Sequence, residues 1–110
     1  MVFDISLKHD AKCNVIRLKG DLAHDTVGSV QASMQALTIG NMEPLVFDFS
    51  DLDFIDSKGA GFLLQLKQKA KGRKIVLVGL SSPIFNVLER LQVTEQYKVF
   101  RTLDEAMMKL

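Results

Sequence analysis

Four aspartates, Asp48, Asp51, Asp53 and Asp56, fall within nine residues, and Ser57 directly follows the last of them. Carboxylates this dense can hold a divalent cation or accept a phosphoryl group. A serine beside an acid can cap a helix, attack an acyl carbon, or take up phosphate. Serine hydrolysis needs a base and an oxyanion site. His9 sits in a turn remote in sequence from Ser57, His24 stands ahead of a helix, and there is no Gly-x-Ser-x-Gly elbow. A phosphoaspartate receiver needs two adjacent acids at an early strand end and a lysine at a late one. Asp21 has no acidic neighbour, and Gly79-Leu80-Ser81 supplies no lysine. Asp-Ser also occurs at the carrier serine of acyl carrier proteins, but those are acidic helical bundles, and this chain carries at least four strand-like runs at a net charge of +1. The expectation is a protein that is not an enzyme and that uses no metal or cofactor.

The surroundings of Ser57 favour recognition by another macromolecule. Gly59 and Gly61 fall in the first turn of the helix that Ser57 opens, where alanine would be more stable. Glycine there permits a close approach and leaves the hydroxyl accessible. Phe54-Ile55 reads as an apolar pair in a loop. The expected partner surface is Asp53, Phe54, Ile55, Asp56, Ser57, Lys58 and Gly59. The plainer reading of Ser57 is a helix cap that accepts bonds from free N–H groups.

Elements must position that segment. Phe3, Ile5 and Leu7 alternate with polar residues, and Cys13 to Lys19 alternates again, with Val15 and Arg17 opposite Ile16 and Leu18. The pair predicts an antiparallel hairpin at a sheet edge, turning at His9-Asp10-Ala11 and closing at Gly20-Asp21-Leu22. Val27, Val30, Met34 and Leu37 mark one face of a helix over 25–39, ended by Gly40-Asn41. Leu45 to Phe49 reads as an interior strand after Pro44. A second helix runs over 57–71, with Phe62, Leu63, Leu66 and Ala70 inward, Lys67, Lys69 and Lys71 near its end, and Gly72 as the stop. Lys74 to Gly79 reads as a strand covered on both faces. Ser82-Pro83 opens a short helix to Leu91 with Ser82 as cap, Tyr97 to Phe100 forms a last strand, and Thr102 to Glu105 has the form of a capping box. The alternation implies an α/β domain over 1–110: a mixed, largely parallel sheet of about four to five strands with about four helices.

Composition bounds the partners. In 110 residues, 47% hydrophobic and 25% charged, a core can form without disulfides, and Cys13 has no cysteine to pair with. Fourteen basic against 13 acidic side chains give no broad pull toward nucleic acid or a membrane surface. Met1-Val2-Phe3-Asp4 lacks the layout of a signal peptide, so the chain is expected to be cytoplasmic and unanchored. It has no phosphate-binding glycine loop, and no ligand is assigned.

The segment Asp48-Phe49-Ser50 … Leu52-Asp53-Phe54-Ile55-Asp56-Ser57-Lys58-Gly59-Ala60-Gly61 resembles the signature of STAS domains, the bacterial anti-sigma factor antagonists. The resemblance extends to Gly20-Asp21-Leu22 and to Ser81-Ser82-Pro83-Ile84, and so over nearly the whole chain. It implies the STAS fold and a phosphorylation site at Ser57. It also implies an anti-sigma factor with serine-kinase activity as the partner, bound when Ser57 is unmodified and released by phosphorylation, with a phosphatase to reverse the mark. The same resemblance allows a second role, as an unphosphorylated scaffold in a transport or stress-sensing assembly. Lys58 stands where the family commonly has a second serine or threonine, and Ala23 where a further acid is frequent.

Overall fold

The computed structural model describes residues 3–10, 13–38, 43–70 and 72–110. The turn position Ala11, the helix stop read at Gly40-Asn41 and the cation Lys71 lie outside them.

Among the described residues, five strands and four α-helices alternate as the residue spacing predicts. They are β1 (Asp4–Asp10), β2 (Cys13–Leu22), α1 (Val27–Thr38), β3 (Leu45–Ile55), α2 (Ser57–Lys69), β4 (Ile75–Val78), α3 (Ser82–Arg90), β5 (Lys98–Phe100) and α4 (Leu103–Lys109), with a single 3₁₀ turn at Val93–Glu95. The strands form one sheet in chain order. β1 pairs antiparallel with β2, and every later neighbour is parallel.

Each central strand is apolar on both faces because both faces are covered. Ile16 and Leu18 of β2, Leu45, Phe47 and Phe49 of β3, and Ile75 and Leu77 of β4 face α1, α2 and α3. Cys13, Val15, Val46, Val76 and Val78 face α4, which supplies Ala106 with Leu103 and Met107 around it. Each large side chain fully buried this way stabilises the fold by about 1.5–3 kcal/mol. Met108 points away and is 85% exposed. The Cys13 thiol donates to Met107 Sδ at 3.2 Å, which ties β2 to α4. Tyr97 Oη donates to the Leu63 carbonyl at 2.5 Å, and burial pushes the phenol pKa up.

Two assignments from the sequence are corrected here. The third strand does not stop at Phe49 but runs to Ile55. Its pairing with β2 slips twice, once between Arg17 and Lys19 and once between Gly20 and Asp21. Each slip places an extra residue in β3, a bulge that turns the following residues over. The inward positions accordingly step from Phe49 to Leu52 to Ile55, intervals of three that break the two-residue period. That broken period made a strand look like a loop. In α3 the N-cap is Ser81, with Ser82 and Pro83 in the first turn, so the helix starts one residue earlier than the cap reading gave. Thr102 does cap α4, accepting from the Glu105 N–H at 3.1 Å.

Candidate functional site

The chain passes from β3 into α2 without a loop. Ile55 ends the strand, Asp56 is the N-cap and Ser57 is the first helical residue. Asp56 is held from three directions. Its N–H donates to the Leu22 carbonyl at 3.3 Å, Oδ1 accepts from the Gly59 N–H at 2.9 Å, and Oδ2 accepts from the His24 N–H at 3.1 Å. His24 Nδ1 lies 3.5 Å from the same Oδ2. Burial works to raise the Asp56 pKa, but the N–H groups of Gly59 and His24 outweigh it and hold the carboxyl below its ordinary value. The cap reading of Ser57 is therefore corrected. A carboxylate complements the positive end of the helix dipole more strongly than a hydroxyl does, so Asp56 takes the role.

Ser57 is exposed, as are Asp53, Phe54 and Lys58, while Asp56 is half-buried. Phe54 is 51% exposed, a large apolar side chain in solvent. Ile55 and Gly59 do not join this surface. Ile55 is 2% exposed and belongs to the core under α2. Gly59 is buried against β2: a β-carbon there would collide with the Leu22 carbonyl oxygen and press on Ile55 Cγ1 at 2.9 Å. The same tight approach that needs glycine keeps Gly59 itself out of the exposed surface.

Gly61 differs, since a β-carbon there would meet nothing within 4 Å. It opens onto a groove of about 510 Å³ between α1 and α2, lined by His24, Gly28 and Gln31 on one side and Ser57, Lys58 and Gln65 on the other. Sequence reasoning missed the α1 wall. Its one signal was Gly28, a glycine in the first turn of α1, where a β-carbon would also meet nothing within 4 Å.

The other aspartates disperse. Asp48 is buried on the α4 face, where Arg17 Nη2 and Nε donate to its Oδ2 at 2.9 and 3.1 Å and the Ser50 N–H donates to Oδ1 at 2.9 Å. Burial opposes ionisation, but Ser50 and Arg17 together hold its pKa below the ordinary value. Asp51 and Asp53 point to solvent. Among the described residues, no three His, Cys, Asp or Glu side chains gather as a metal site.

A sequence model of the STAS domain matches residues 4–106. The chain belongs to the STAS domain family. An anti-sigma F factor antagonist from Paenibacillus polymyxa is 27% identical over 92 residues, covering 81% of this chain and 79% of that one. The crystal structure of an anti-sigma factor antagonist from Mycobacterium paratuberculosis superposes with a TM-score of 0.89 at 18% identity, covering 98% of this chain and 93% of that one. The Bacillus cell fate determinant SpoIIAA in its phosphorylated form superposes with a TM-score of 0.70 at 23% identity, covering 98% of each chain. At those identities the two structures establish the STAS fold. Among the described residues of this STAS domain, no helix is long and apolar enough to cross a membrane.

Proposed function

We propose that this STAS domain is an anti-sigma factor antagonist switched at Ser57. In this reading it binds an anti-sigma factor with serine-kinase activity through Asp53, Phe54, Ser57 and Lys58, and phosphorylation of Ser57 releases it. The observation that carries the reading is the division of labour at the start of α2. Asp56 caps the helix and leaves the exposed Ser57 hydroxyl without a duty in the fold.

Phosphate on that hydroxyl would add about 1.5–2 negative charges. The helix N-terminus tolerates them, so the domain stays folded. Asp53 and Asp56 already make the patch acidic, and the exposed Phe54 beside them needs an apolar partner surface. Burying an uncompensated charge there costs several kcal/mol, a loss of affinity of ~100-fold or more. Lys58 tempers the loss by offering an ammonium to the phosphate.

The test is a pull-down from the native host with mass spectrometry of Ser57, followed by titration of the captured partner with the unmodified protein and with Ser57→Asp. Capture of an anti-sigma factor, phosphate on Ser57 and weaker binding by Ser57→Asp are expected. Equal affinity for both forms sinks the switch and leaves a constitutive binding module.

A further inference from the structure

At the opposite end of the sheet from Ser57, around the first residues of β4 and β5, lies an open groove of about 540 Å³. Lys67, Arg73, Lys74, Lys98 and Lys109 line it, against one acid, Glu95. A chain of net charge +1 thus gathers five cations around one concavity. They come from α2, the α2–β4 connection, β5 and α4, elements distant in sequence.

Arg73 sets this groove apart from a solvated basic patch. It is 6% exposed, its Nε donates to the Glu43 carbonyl at 2.6 Å, and its Nη2 has no hydrogen-bond partner among the described residues. The Glu43 carboxylate is itself engaged by His9 Nε2 at 2.7 Å. A buried guanidinium with an unmatched donor is costly, and such donors in native structures call for a partner. Burial presses the Arg73 pKa down, and the nearby Glu43 charge offsets that only in part. The rest of the floor is preorganised: Tyr97 is buried, its hydroxyl fixed on Leu63, with Lys67 Nζ 5.6 Å above its ring.

From the buried, incompletely bonded guanidinium and the four lysines around it we infer a binding site for a phosphate-bearing anion at the β4–β5 end of the sheet. A planar guanidinium fork suits phosphate oxygens, and lysines on flexible stems close over a multiply charged group. The groove is larger than one phosphate requires, which fits a polyphosphate or a phosphorylated headgroup. The site stands apart from Ser57 and does not depend on the switch.

The experiment is an amide NMR titration of the full chain with sodium tripolyphosphate at low salt, alongside co-sedimentation with vesicles of phosphatidylcholine with or without phosphatidylglycerol. Saturable shifts at Gly72, Lys74 and Lys98, weakening with added salt, are expected. The paired charge reversal Lys74→Glu with Lys98→Glu alters only exposed side chains and should weaken binding at least tenfold. Arg73→Lys keeps the charge, removes the fork and should also weaken it. Vesicle binding that needs phosphatidylglycerol and fails in the paired variant supports the site and assigns it to a headgroup. Tripolyphosphate binding without vesicle binding supports it and assigns a free anion. Absence of both, or binding indifferent to the paired variant, overturns the site.

Discussion

The backbone carbonyl of Leu22 occupies the space that a side chain on Gly59 would need. This contact docks the first turn of α2 onto the end of β2, and with the Asp56 N–H bonded to the same carbonyl it fixes where Ser57 emerges. Gly59→Ala should therefore destabilise the domain by about 1–3 kcal/mol, because backbone must move to admit the methyl group. Gly61→Ala, with open space around it, should gain about 0.5–1 kcal/mol from helix propensity while narrowing the groove. Thermal melts check both signs, and partner titration should show weaker binding by the more stable Gly61→Ala protein.

The two apolar residues at the end of β3 should separate cleanly. Ile55→Ala removes buried core and should cost about 2–4 kcal/mol in urea unfolding. Phe54→Ala should change stability by no more than about 0.5 kcal/mol while weakening partner binding. A large loss of stability in Phe54→Ala would move that side chain from the interface to the core.

Ser57→Asp and Ser57→Ala should both retain the circular dichroism spectrum and melt close to the unmodified protein, since Asp56 supplies the cap. Lys58→Ser should enlarge the difference in partner affinity between phosphorylated and unmodified protein, because it removes the nearest countercharge. An unchanged ratio would show that Lys58 does not reach the phosphate.

Acid should weaken the fold through Asp48 and Asp56. Both folded-state pKa values lie below their ordinary ones, so the ionised groups contribute stability that is fully present above about pH 4 and lost as pH falls through the folded values. Asp56→Asn keeps a capping oxygen but no longer titrates. Its urea midpoint should fall less between pH 7 and pH 3 than that of the unmodified protein.

Two-residue and three-to-four-residue periods in the sequence were enough to determine the order of strands and helices and the two-sided burial of the central strands. Those periods are local, set by how successive side chains leave the backbone. The motif around Ser57 was equally legible, because residue types at fixed spacing survive in one dimension.

Tertiary structure decided what local spacing cannot carry. Whether Phe54 or Ile55 faces solvent depends on two bulges that exist only once β3 is paired with β2. Whether Asp56 or Ser57 caps α2 depends on His24 and Leu22, some thirty residues earlier, arriving at the same helix end. Gly59 and Gly61 are the same residue two positions apart; one is packed against a strand and the other opens to a groove because α2 turns one side to β2 and the other to solvent. Contacts between distant segments fixed these outcomes.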